Sequence, residues 1–213
     1  MKTEKICAIL SGGAFSPLTG IEDATLVIAC DKGYAYAERA GVKPDLFVGD
    51  YDSLGGKVAA DVPALELPCE KDDTDTMAAV RYAVEKGYTR LRIYCALGGR
   101  LDHLLGNLQA AAFAVRHGAR AEIVDDNDSV FVFGGGSLIL PEKDGYSLSL
   151  LSLTDACRGV TVCGVKYPLE NATLTNAFPI GVSNEWRGDA VITVESGVLA
   201  VICSRMTRGT GEV

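Results

Sequence analysis

The sequence lacks the features that would place it in a membrane helix or on nucleic acid. No run approaches the roughly 20 consecutive apolar residues that a membrane-spanning helix needs. Lys and Arg number 20 against 28 Asp and Glu, and the net charge is −8. That balance argues against a nucleic-acid surface, which requires a basic footprint. It leaves room for small anionic ligands, because a local arginine or bound cation reverses the field. The seven cysteines include no C-x-x-C pair. Cys7, Cys30 and Cys95 lie inside apolar runs, where a reduced cysteine behaves as a small hydrophobe. An odd count without metal-type spacing fits a reducing, cytoplasmic setting. The opening MKTEKICAILSGG has Glu4 in its charged lead and Gly12-Gly13 directly behind its apolar stretch. It reads as a first strand and not as a signal peptide. Neither G-x-G-x-x-G nor a Walker P-loop is present, and there is no internal repeat or low-complexity linker.

What is there is a globular composition. The chain has 213 residues, 48% hydrophobic and 23% charged, enough for one large domain or two small ones. Its first half alternates short apolar runs with helical patterns. Ile6–Leu10, Thr25–Cys30, Leu46–Val48, Leu91–Cys95 and Ala121–Val124 read as strands, several of them continuously apolar as expected when both sheet faces are covered. Asp31–Ala40, Thr74–Lys86 and Leu101–Val115 read as helices, each with a glycine just beyond as a stop. Such alternation predicts an α/β unit, a mostly parallel Rossmann-like sheet between helices. After Asp125–Asp128 only strands are predicted, through 130–133, 137–140, 146–153, 159–163, 189–194 and 198–203. The last two are joined through Glu195-Ser-Gly197 as an expected hairpin. This half reads as an antiparallel β-sandwich. The expected domains are 1–127 and 128–213.

In open α/β sheets, ligands collect at the carboxyl ends of the strands. Three polar clusters fall there. LFVGDYDSL, from Leu46, sets Asp50 and Asp52 just past a strand. Two carboxylates so close repel each other unless a cation or solvent screens them, and magnesium takes one or two carboxylates plus substrate phosphates. EKDDTDT, from Glu70, is a second acidic cluster. Asp72, Asp73 or Thr74 caps the following helix and Asp75 complements its N-terminus, or the carboxylates reach a metal; both can hold at once, with Asp75 capping while Asp72 reaches the ion. ALGGRLDH, from Ala96, places a Gly-Gly turn and Arg100 at a helix start, a layout suited to phosphate oxygens. Asp102 there caps, binds metal or orients Arg100, and His103 bonds a phosphate or is structural. Ser11-Gly-Gly13 either cradles phosphate or is a plain turn. In the β half, Trp186 stands in what reads as a polar loop with Ser183, Asn184 and Glu185. A flat aromatic surface in that company suits stacking on a heteroaromatic, cationic ring.

Together these segments resemble the thiamine pyrophosphokinase family. The matching stretches are DKGYA from Asp31, KPDLFVGDYDS from Lys43, KDDTD from Lys71, GGRLDH from Gly98, GVKYPL from Gly164 and VSNEW from Val182. They occur in the family's order over most of the chain. The resemblance implies a catalytic, nucleotide-binding α/β domain at 1–127 and a thiamine-binding β-sandwich at 128–213. It also implies a homodimer whose active site lies where one subunit's α/β domain meets its partner's β domain. The implied reaction uses Mg2+ and takes ATP and thiamine to thiamine diphosphate and AMP, with no nucleic acid or membrane partner. Carried over by position, Asp50, Asp52, Asp72 and Asp75 are the expected metal set. Asp31, Asp72, Thr74, Arg100, Asp102 and His103 are expected at ATP, and Ser183, Asn184 and Trp186 at thiamine. Asp50, Asp52, Asp75, Arg100 and Asp102 are the expected catalytic group, with either Asp75 or Asp102 accepting the hydroxyl proton. One departure is Lys32-Gly33, where many members carry Gly-Gly; the lysine either adds a phosphate contact or points to solvent. The alternatives outside this family reading are a metal-dependent phosphohydrolase and a non-catalytic thiamine or nucleotide binder.

Overall fold

The computed structural model describes residues 5–49, 58–66 and 73–206. The chain divides into two compact units, Met1–Asp126 and Asn127–Val213.

The first unit runs β1 (Ile6–Leu10), β2 (Leu26–Cys30), α1 (Gly33–Arg39), β3 (Leu46–Gly49), β4 (Ala64–Glu66), α2 (Asp75–Glu85), β5 (Arg90–Tyr94), α3 (Leu101–Arg116) and β6 (Arg120–Val124). The strands lie in the order β6-β5-β1-β2-β3-β4, and every pairing among them is parallel. Central β1 is buried from Cys7 to Leu10. Alanine dominates the buried faces of α2 (Ala78, Ala79, Ala83) and α3 (Ala110, Ala111, Ala112, Ala114). These short side chains let the helices lie close to the sheet and to each other. α2 begins where the sequence predicts. Thr74 is in an extended conformation and its Oγ1 accepts the Met77 N–H at 3.2 Å, which satisfies one of the helix's orphan donors. β4 was not expected from the sequence; its three residues carry no alternation to mark it.

The second unit runs β7 (Asp128–Phe133), β8 (Gly136–Leu140), β9 (Tyr146–Ser152), β10 (Ala156–Val165), β11 (Leu169–Thr175), β12 (Gly181–Asn184), β13 (Trp186–Val194) and β14 (Leu199–Arg205). Two antiparallel layers form, β12-β9-β14-β7 and β11-β10-β13-β8. Leu148, Leu150 and Val201 from the first share one core with Val160, Val162 and Ile192 from the second. This is the β-sandwich the alternation predicts.

Two expectations fail here. The hairpin through Glu195-Ser-Gly197 does not form: β13 pairs with β10 and β8, whereas β14 pairs with β7 and β9. Two apolar strands joined by a short turn can instead face one another across a core. The turn itself is held by β10, with the Glu195 N–H donating to the Arg158 carbonyl at 3.0 Å. The segment around Trp186 is not a loop either. Ser183 and Asn184 end β12 and Trp186 begins β13. β11 and β12 were missed because their exposed polar residues resemble loop composition.

Candidate active site

Turns that follow neighbouring strands converge at the carboxyl edge of the parallel sheet. They line a cleft of about 530 Å³. Its walls come from Ser11–Ala14 after β1, Asp31 and Lys32 after β2, Asp73–Thr76 at the start of α2, and Gly98–Arg100 after β5, with His103 and Asn107 from α3.

The turns are fixed by backbone bonds. The Ser11 N–H donates to the Tyr94 carbonyl at 2.9 Å and the Gly13 N–H to the Cys95 carbonyl at 2.8 Å. The Tyr36 hydroxyl donates to the Gly13 carbonyl at 2.8 Å. Gly13 is required by contact, since a Cβ there would lie 2.6 Å from the Cys95 carbonyl oxygen. Gly98 and Gly99 both have φ of 74°, a conformation that costs glycine little. Two non-glycine residues share the left-handed region, Asp31 (φ 46°) and Cys95 (φ 53°), each just past a strand end. Backbone strain of this kind is tolerated where surrounding structure enforces it. The Asp31 carboxylate lies against Gly49, where a Cβ would come 2.7 Å from its Oδ1.

The polar side chains are ordered by one another. Ser11 Oγ and Thr76 Oγ1, both buried, share a 2.7 Å hydrogen bond that ties the β1 turn to α2. Buried Asn107 donates from Nδ2 to the Ala96 carbonyl at 2.8 Å and holds the β5–α3 turn. Asp73 pairs with Arg81. Arg100 and Asp102 form a two-bond clamp on the exposed rim. The Arg100 hydrogen bond holds the Asp102 carboxyl below its ordinary range, and the same bond raises the Arg100 pKa.

Of the residues expected at this site, Asp31, Thr74, Asp75, Arg100 and His103 line the cleft. Asp102 reaches it through Arg100. Asp50, Asp52 and Asp72 lie outside the described residues. Ser11, Thr76 and Asn107 line the cleft without having been singled out individually. The sequence carries no clear signal for them: α3 has other polar residues, and Asn107 stands apart only in being buried with alanines. Among the described residues, no group of three His, Cys, Asp or Glu side chains is placed to hold a metal by itself. The carboxylates on the wall, Asp31, Asp73 and Asp75, are hard oxygen donors. They suit magnesium, which shares its coordination with substrate phosphates and water.

In the β unit, Asn184 is buried and its amide is engaged through both its nitrogen and its oxygen. Nδ2 donates to the Tyr167 carbonyl at 2.8 Å, and Oδ1 accepts from the N–H groups of Tyr167 and Glu185, each at 3.0 Å. Asn184 therefore holds the turn at Tyr167 against β12. Ser183 is exposed with φ of 61°. Trp186 is half-buried and packs on the sandwich core. Its Nε1 is buried without an acceptor among the described residues, an unusual and costly condition. A smaller pocket of about 120 Å³ is lined by Leu150, Tyr167, Ile180, Val182 and Asn184, among others.

Two family models match the chain. The thiamin pyrophosphokinase catalytic domain covers residues 19–123, and the thiamin pyrophosphokinase vitamin B1 binding domain covers 137–199. A thiamine pyrophosphokinase from Bacillus subtilis (strain 168) is 32% identical over 213 residues, spanning 96% of this chain and 99% of its own. The crystal structure of thiamine pyrophosphokinase from B. subtilis superposes with a TM-score of 0.83 at 28% identity, covering 95% of this chain and all of that one. The Geobacillus thermodenitrificans structure gives 0.80 at 27% identity, covering 95% and 99%. Fold and matches together define a transferase of the kinase class. More narrowly, the chain belongs to the thiamin pyrophosphokinase family.

Proposed function

We propose that this protein transfers the pyrophosphoryl group of ATP to the hydroxyl of thiamine, in the cytoplasm and with magnesium. The reading rests on one observation above the others: Asp31, Asp75 and Arg100 share one cleft although they come from three separate segments of the sheet's carboxyl edge. Pyrophosphoryl transfer makes its main demands on positioning and charge neutralisation, and these are the services such a cleft supplies.

In the proposed reaction the thiamine hydroxyl oxygen attacks the β-phosphorus. The bond from that phosphorus to the oxygen bridging to the α-phosphorus breaks, and AMP departs with the bond's electrons. Arg100 presents planar N–H donors to the phosphate oxygens, and His103, beside it on the cleft wall, donates a further hydrogen bond. The hydroxyl proton goes to a carboxylate. Asp102 suits that role poorly, because Arg100 already bonds both its oxygens and holds its pKa low; a carboxylate so stabilised is a weak base. That leaves Asp75, on the cleft wall at the head of α2, as the proposed acceptor. Asp50, Asp52 and Asp72 would then hold magnesium, whose charge offsets that of the phosphates.

Thiamine is assigned to the β unit, with Ser183 and Trp186 as contact residues and Asn184 as the residue that shapes their turn. The assembly is a homodimer in which each α/β unit faces its partner's β unit. The exposed Tyr167, Phe178, Ile180 and Val182 support this, as apolar surface that a partner would cover.

The test is incubation with ATP, magnesium and thiamine, read by mass spectrometry. Equal amounts of AMP and thiamine diphosphate are expected. Nucleotide cleavage that ignores thiamine would identify a phosphohydrolase, and thiamine binding without turnover would identify a binder.

A further inference from the structure

Lys32 lines the cleft, yet the reaction as described leaves it without a role. It caps the start of α1 in the turn after β2. Its carbonyl accepts the Tyr36 N–H at 3.2 Å. Its exposed ammonium has no hydrogen bond or ion pair among the described residues, although acidic side chains share the cleft.

The position of this cation is set by the fold. β1 lies between β5 and β2 in the sheet, so the Ser11–Gly13 turn runs between the Lys32 turn and the Arg100 turn. A Cβ on Gly12 would lie 3.9 Å from the Lys32 Cβ, and one on Gly98 would lie 2.9 Å from the Ala14 Cβ. Two cations, one on the turn to either side, therefore flank a strip of bare glycine backbone. Gly33, which follows Lys32, is pressed onto the Leu10 carbonyl with no room for a Cβ. The backbone of the turn is thus anchored while the lysine stem stays free to reach. A chain of tetrahedral anions suits such a strip: glycine allows close approach and the cations on either side supply opposite charge.

We propose that Lys32 is a positioning residue for the pyrophosphoryl donor, its ammonium holding a phosphate oxygen on the β2 side of the Gly12–Gly13 strip, opposite Arg100. The inference rests on reading the cleft as the donor site. A lysine is a compact point charge on a flexible stem. It senses the phosphate chain and not the base, so its contribution is equal for ATP and GTP.

The experiment measures binding of α,β-methylene-ATP with magnesium by calorimetry, alongside steady-state kinetics, for wild type, Lys32→Ala, Lys32→Glu and Lys32→Arg. Lys32→Ala is expected to weaken analogue binding about ten-fold, the size of one charge-assisted contact. Lys32→Glu weakens it further, and Lys32→Arg restores most of the loss. The KM for ATP rises while the KM for thiamine stays within about two-fold. Unchanged analogue affinity in Lys32→Glu overturns the inference and leaves the proposed reaction standing. Equal losses in all three variants, with lowered thermal stability, also overturn it in favour of a structural role. Wild type that binds the analogue through Lys32 but makes no thiamine diphosphate refutes the reaction alone, and wild type that binds no analogue refutes both.

Discussion

Arg100 donates twice to Asp102, Nε to Oδ1 at 3.1 Å and Nη2 to Oδ2 at 2.5 Å, across two positions at the head of α3. The pair is a preset fork at the cleft rim. Asp102 has a depressed pKa in the fold. Its pairing is therefore complete at any pH above the ordinary carboxylate value and is lost only as pH falls through the depressed one. Arg100→Ala should return the Asp102 titration upward toward the ordinary range, as followed by carbon NMR of its carboxyl group. Asp102→Asn, which leaves the guanidinium less well held, should raise the KM for ATP about five-fold. An Asp102 that titrates identically with and without Arg100 would remove the fork from the account.

The Ser11–Thr76 hydrogen bond carries a stability prediction. Thr76→Val leaves the buried Ser11 hydroxyl without its partner and should cost about 1–3 kcal/mol in urea unfolding. Adding Ser11→Ala removes the stranded group, so the double variant should recover part of that loss. Additive losses would mean that the two hydroxyls do not depend on each other.

Gly12 and Gly13 are adjacent but differ in their surroundings. A Cβ at Gly13 meets two backbone carbonyls, at 2.6 and 3.0 Å, whereas at Gly12 nothing lies closer than 3.9 Å. Carbonyls cannot rotate aside as a side chain can. Gly13→Ala should lose about 1–3 kcal/mol by overpacking, and Gly12→Ala should be close to neutral in stability. Thermal unfolding of the two variants side by side checks the contrast.

Trp186 combines packing on the sandwich core with an indole N–H that has no acceptor among the described residues. Trp186→Phe keeps much of the packing and removes the stranded donor, so it should unfold within about 1 kcal/mol of wild type. Trp186→Ala should destabilise the β unit by about 2 kcal/mol, since the ring is only half-buried. If the ring also stacks on thiamine, both variants raise the KM for thiamine more than that for ATP, with alanine the worse. The reverse ranking would take Trp186 out of the thiamine site.

How far the sequence could be read depended on how local each feature is. The apolar runs of β1 and β2, the extents of α2 and α3, and the Thr74 cap lie in contiguous residues and were legible; that alanines and not Leu101 and Leu105 make the buried face of α3 was not. The fate of β13 and β14 was not. Both are apolar and joined by a turn, and only the competing strands β10 and β9 decide that they face each other across the core instead of pairing. The same applies within the cleft. Gly98-Gly99-Arg100 announces itself as a turn with a cation. The bond from Ser11 to Thr76 spans 65 positions and the Asp31 carboxylate lies against Gly49 at the end of the next strand, so neither is written locally. Trp186 was misplaced for a related reason: its polar neighbours resemble a loop, but Asn184 uses its amide to fasten the turn at Tyr167.

The central claim is transfer of an intact pyrophosphoryl group to thiamine, and ATP labelled with phosphorus-32 at the β position tests it most directly. With magnesium and thiamine present, the label should appear in thiamine diphosphate, one equivalent for each unlabelled AMP. Label released as pyrophosphate or retained in ADP, with thiamine unaltered, would contradict the account.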